Sequence, residues 1–84
     1  MKFYVYILFS NSAGKYYVGQ TSDLQARLIN HNNGESKFTS AYIPWQLIWH
    51  TEVDSRSEAL ILERKLKNLS GQRLIQFIEK QHAQ

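Results

Sequence analysis

The sequence predicts an α+β fold: a three-stranded antiparallel sheet flanked by helices, in the order β-β-α-β-α-α. Three observations carry this. Two runs rich in aromatic and β-branched residues, 4–9 and 15–20, are joined by a turn too short for a crossover helix, so they pair antiparallel. Two capping-box patterns, Ser22 with Gln25 and Ser55 with Glu58, each open an apolar stripe of helical period. The length of 84 residues, 43% of them hydrophobic, suits a single domain over residues 1–84 with one small core.

The elements follow in order. Residues 4–9 (YVYILF) are apolar on both alternating faces, as expected of a central strand covered on both sides. Asn11, Ser12, Ala13 and Gly14 make a turn, and residues 15–20 (KYYVGQ) return as the second strand. The first helix starts at Ser22 as N-cap, buries Leu24 and Leu28, and stops at Gly34. Residues 35–43 form a polar loop, and residues 45–53 (WQLIWHTEV) form the third strand, with Pro44 at its entry. The second helix opens at Ser55 and carries the stripe Ala59, Leu62, Leu66 and Leu69. Ser70 and Gly71 break it, and a last helix presents Leu74, Phe77 and Ile78 before a polar tail from Lys80.

Composition removes several function classes. Without cysteine there is no disulfide framework, thiolate metal site or cysteine nucleophile. The longest apolar run, residues 4–9, is far too short to span a membrane, and no signal-peptide pattern follows Met1. The expectation is a cytoplasmic protein with no membrane partner. Ten Lys and Arg against seven Asp and Glu, net +3, permit an anionic partner without demanding one. No glycine-rich phosphate loop, GxSxG or HExxH pattern is present.

Four groups stand out from a plain core. A turn over residues 10–13 would set Tyr6 opposite Tyr17, so both phenols face the same way, with room beside them at Gly19. Cross-strand aromatic packing would explain the same pair. Arg27 and His31, at i,i+4, share one face of the first helix, and suit either an anion between them or a solvated edge. Glu63 falls inside the apolar sector of the second helix, where a carboxylate needs a metal, a cation or an escape route toward Lys67. Arg64, Lys65, Lys67 and Arg73, with Lys15 and Lys37 elsewhere, offer phosphate contacts or a solvated basic face.

Tyr4-Val5-Tyr6 followed by Tyr17-Val18-Gly19 resembles the paired tripeptides of the GIY-YIG nuclease superfamily. The continuation through Gln20, Thr21, Asp23, Leu24, Arg27 and Leu28 is similar to that family's second strand and arginine-bearing helix. Ala59 to Glu63, then Leu66 and Lys67, is similar to its helix with the metal-binding glutamate. The match runs from about Phe3 to Leu69 and is nearest to the small stand-alone, excision-repair-subunit-like branch. Departures exist: Tyr4 replaces the first glycine, and Gln20 stands where relatives often carry lysine.

The resemblance implies a metal-dependent endonuclease hydrolysing DNA phosphodiester bonds, at nicked, branched or damaged DNA. It implies Tyr6 as activator of the attacking water, Tyr17 in support, Arg27 on the scissile phosphate and His31 near the nucleophile. Glu63 would hold one Mg2+ (or Mn2+), and Gly19 would allow close approach of the substrate. Lys15, Lys37, Arg64 and Lys67 would bind nucleic acid, with a protein partner or a homodimer for targeting. Magnesium suits a lone carboxylate, because it keeps waters and binds substrate oxygens. Whether Tyr6 or His31 takes the proton stays open, since a phenol titrates near pH 10 and an imidazole near neutrality. The alternatives are a non-catalytic nucleic-acid-binding module on the same fold, and an interaction domain using Phe38, Tyr42 and Trp45 as exposed aromatics.

Overall fold

The computed structural model describes residues 2–82. Strands β1 (Phe3–Ser10) and β2 (Lys15–Thr21) form a hairpin, followed by helix α1 (Leu24–Asn32) and a 3-10 turn (Thr39–Tyr42). Strand β3 (Gln46–Val53) and helices α2 (Arg56–Lys67) and α3 (Gly71–His82) complete the chain. The sheet order is β2-β1-β3, with both pairs antiparallel, so the α+β arrangement read from the sequence is the one observed.

The doubly apolar β1 is the central strand, and Val5, Tyr6, Ile7 and Leu8 are all buried. Val5 and Ile7 face Ala59 and Leu66 of α2 and Leu74 of α3, joined by Val18 of β2. Tyr6 and Leu8 face the opposite side, against Trp45, Tyr17 and the apolar edge of α1. This alternation is the period of two of a strand, used with helices over both sheet faces. It also places one tyrosine of the central strand in the layer under α1.

Several sequence expectations shift. The hairpin loop is residues 11–14, the turn residues read from the sequence, and not the 10–13 placement that set Tyr6 opposite Tyr17, because Ser10 pairs with Lys15. Gly14 takes φ 64° at the end of that loop, a left-handed conformation that glycine reaches without steric cost. Tyr6 therefore lies opposite Gly19, and Tyr17 lies opposite Leu8. The register moves by two residues, so Tyr6 and Tyr17 still share a face. Asp23, not Ser22, caps α1: its carboxylate accepts from Ala26 N–H at 3.1 Å, while its own N–H donates to Thr21 Oγ1 at 3.1 Å. Strand β3 starts at Gln46, because the main chain of Trp45 bonds to the Asn32 side chain instead. Helix α3 continues through Lys80 to His82, as Glu, Lys and Gln sustain a helix without an apolar face.

The capping box of α2 is half formed, since Glu58 passes the N-cap Ser55 and bonds the residue before it. Ser55 Oγ accepts from Glu58 N–H at 3.2 Å, and Glu58 reaches back to Asp54 N–H at 3.0 Å. The Ala59–Leu66 stripe thus sits on the sheet. Among the described residues, no helix is long and apolar enough to cross a membrane.

Candidate active site

The face of the sheet under α1 collects four of the residues singled out above. Tyr6 is 1% exposed and its hydroxyl lies 2.9 Å from His31 Nε2. His31 is fully buried, so it is no solvated helix edge, and its other nitrogen, Nδ1, lies 2.8 Å from Thr39 Oγ1. The Tyr17 ring packs on both, with centroids 6.3 Å from Tyr6 and 5.0 Å from His31. Arg27, one helical turn before His31, places its guanidinium beside the Tyr6 and Tyr17 hydroxyls. Gly19 makes this packing possible: a Cβ there would stand 2.5 Å from the Tyr6 oxygen and 3.0 Å from the Tyr17 ring.

Burial decides the charge states. Loss of hydration pushes the Tyr6 phenol up to about 12, against the opposing pull of Arg27. Burial, assisted by the Arg27 charge, lowers His31 to about 4. Arg27 is raised, first by the Tyr6 hydroxyl beside it, so it stays a cation. At neutral pH the cluster is therefore a neutral phenol, a neutral imidazole and one positive charge.

Glu63 projects from α2, close enough to act electrostatically on the Tyr6 phenol. Its side chain is 16% exposed, and one oxygen is 3.1 Å from Lys67 Nζ at i,i+4. Among the described residues no three His, Asp or Glu side chains gather, so an all-protein metal cage is not formed. A single, mostly sheltered carboxylate does fit magnesium, which takes one or two protein oxygens and completes its shell with water and substrate phosphate. Lys67 is the competitor for that carboxylate.

The proposed basic contacts are spread out. Arg64 and Lys67 line a 300 Å³ hollow beside Glu63. Lys15 lies over the Tyr42 ring, 5.4 Å from its centroid, and Lys37 is exposed next to Phe38. An apolar cleft of 470 Å³ runs along the β2 edge, between Tyr17, Phe38, Leu66 and Lys67. Phe38 is 57% exposed, its ring 6.0 Å from that of Tyr17. Trp45, expected among the exposed aromatics, is 4% exposed, its indole N–H donating to the Thr39 carbonyl at 2.8 Å.

Two residues of this region escaped the sequence reading. Thr39 lay in what read as a polar loop, and Asn32 read as part of a helix stop. Neither carries a local signal, because each acts on a partner brought close only by the folded chain.

The sequence matches the GIY-YIG catalytic domain over residues 2–76. The chain belongs to the GIY-YIG family. Its relatives include a UPF0213 protein of Staphylococcus saprophyticus, 37% identical over 92% of this chain and 94% of that protein. A UPF0213 protein of Halobacterium salinarum is 40% identical over 80% of this chain and 87% of that protein. The solution NMR structure of a UPF0213 protein from Bacillus halodurans superposes with a TM-score of 0.60 at 32% identity, covering 94% of this chain and 84% of that one. These are small GIY-YIG proteins, of the stand-alone kind the tripeptides resemble. The family is a nuclease family, which places this chain with enzymes of the hydrolase kind.

Proposed function

We propose that the chain is a metal-dependent endonuclease that hydrolyses DNA phosphodiester bonds at nicked, branched or damaged sites. The observation that carries this reading is the buried Tyr6–His31 hydrogen bond with the Arg27 guanidinium beside the phenol. A phosphate needs a cation able to meet two of its oxygens, and arginine does so in a fork. The attacking water needs a proton acceptor, and the phenol–imidazole pair offers one.

The resting pair does not transfer its proton. With Tyr6 near 12 and His31 near 4, moving the phenolic proton to the imidazole costs on the order of 10 kcal/mol. A phosphate seated on Arg27 offsets part of the positive field that holds His31 down, which makes the imidazole a better acceptor only when substrate is present; the same offset raises Tyr6, so the phenol passes a proton on from water rather than giving one up outright. Tyr6 then activates the water and His31 holds the displaced proton at Nε2. Tyr17 packs on both and shares Arg27. Glu63 would hold a divalent ion, whose charge would polarise the phosphoryl oxygen and steady the leaving one.

The exposed Phe38 beside the cleft suits an unstacked base, which supports distorted rather than regular duplex as substrate. Lys15, Lys37, Arg64 and Lys67 would add phosphate contacts around it. A small interface of this kind fits targeting by a protein partner or by a second copy.

The test is cleavage of labelled nicked, branched, single-stranded and regular duplex DNA, with magnesium or manganese. Metal-dependent cutting by the natural chain that falls about 100-fold or more in Tyr6→Phe, and is lost in Glu63→Ala, is the expected result. No cutting of any substrate, with salt-sensitive binding unchanged in both variants, would replace this reading with the binding-module one.

A further inference from the structure

Beyond the residues the family resemblance implies, the buried cluster contains a polar chain that ends on Thr39. Tyr6, His31 and Thr39 are essentially without solvent contact, so each of their polar hydrogens must find a partner within the folded protein. Tyr6 Oη lies 2.9 Å from His31 Nε2, and His31 Nδ1 lies 2.8 Å from Thr39 Oγ1. The direction of these bonds follows from the two ends.

At one end, the Thr39 hydroxyl lies 3.4 Å from the Ser36 carbonyl oxygen, which can only accept. The single hydroxyl proton goes there, leaving an oxygen lone pair to accept His31 Nδ1–H. At the other end, the guanidinium beside Tyr6 can only donate. The phenolic proton therefore goes to His31 Nε2, which must be the unprotonated nitrogen. Both ends select the same tautomer.

Thr39 is itself held in place. Its carbonyl accepts from Trp45 Nε1–H at 2.8 Å. The Trp45 main chain is gripped from both sides by the Asn32 side chain: Trp45 N–H donates to Oδ1 at 2.6 Å, and Nδ2–H donates to the Trp45 carbonyl at 3.1 Å. Asn32 follows His31 in α1. The end of α1, the 3-10 turn and the start of β3 thus close a ring of bonds around the imidazole.

We propose that Thr39 is a positioning residue for the reaction: its hydroxyl fixes His31 as the Nδ1–H tautomer, so that Nε2 presents a lone pair to the Tyr6 hydroxyl. This rests on the reading of Tyr6 as activator of the water. The proton that leaves water passes to Tyr6 as the phenolic proton passes to Nε2; His31 becomes the imidazolium, still bonded to Thr39, and no oxidant or further reactant is needed. Thr39 is fully buried and acts only through His31.

The experiment combines long-range 1H–15N NMR of the histidine rings with cleavage kinetics, on the natural chain, Thr39→Ser and Thr39→Val. The natural chain and Thr39→Ser should show His31 with a protonated Nδ1 and a bare Nε2. Thr39→Val removes the acceptor for Nδ1–H and should shift His31 toward the Nε2–H form. Its kcat should fall about 10- to 100-fold with KM little changed, as when a group that orients a histidine is lost. Serine should restore most of that loss. A natural chain with Nε2 protonated overturns the proposal by itself, whether or not the valine variant folds. A valine variant that keeps both tautomer and kcat overturns it equally. A natural chain that cuts no DNA defeats the nuclease reading, while the tautomer measurement still decides what Thr39 does.

Discussion

Acidification should destabilise this protein through one side chain. His31 is fully buried and neutral, with its pKa lowered to about 4 by burial and by Arg27, against an ordinary value of 6.5. The unfolded chain takes up a proton on this imidazole as pH falls through 6.5, and the folded chain does not until about 4. Between those values the unfolded state binds more protons, so stability falls with falling pH and levels off below about 4. At 1.36 kcal/mol per pH unit the full loss is about 3 kcal/mol, of which about 2 kcal/mol comes between pH 6.5 and 5, before most carboxylates titrate. A domain of this size has only about 4–13 kcal/mol in total, so the effect is a large share. Urea unfolding followed by tryptophan fluorescence suits the measurement, since Trp45 is buried and Trp49 packs on Phe77. His31→Gln should remove the slope between pH 6.5 and 5. Arg27→Gln should flatten it, because the folded imidazole would then titrate nearer its ordinary value. Equal slopes in the natural chain and His31→Gln would refute the claim that this buried imidazole is held neutral by its surroundings.

Two further substitutions probe the same region. Gly19→Ala puts a methyl group 2.5 Å from the Tyr6 hydroxyl, which is held by His31 and cannot withdraw; it should lower stability by about 1–3 kcal/mol in urea unfolding and cut cleavage sharply. Phe38→Ala should weaken binding of single-stranded oligonucleotides about 10-fold or more in fluorescence anisotropy, with little effect on regular duplex and on stability, since the ring is mostly exposed.

Much of the site was legible before folding was considered. The i,i+4 spacing of Arg27 and His31, the common face of Tyr6 and Tyr17, and the misfit of Glu63 in an apolar stripe are all consequences of local periodicity. The Glu63–Lys67 pair, weighed against metal binding, is present at 3.1 Å. Less legible was the hairpin register, which turned on Gly14 supplying a positive φ at the last loop position. Because the resulting shift was two residues, the tyrosines kept their shared face while Gly19 became the direct partner of Tyr6.

What the sequence by itself determined was the order of elements, the central position of β1 and the set of residues gathered at one sheet face. These depend on periods of two and 3.6 residues, which neighbouring residues reveal to one another. Only the tertiary structure decided which of those residues carry charge. His31 read either as a possible second cation beside Arg27 or as a proton acceptor, and it is neutral because Tyr6, Tyr17 and Thr39 exclude water from it. Desolvation depends on what covers a group, and here part of the cover comes from a turn eight residues further along the chain. The role of Thr39 belongs to that same distance: no periodic pattern links a loop threonine to a helical histidine, and only closure of the loop by Asn32 and Trp45 brings them together.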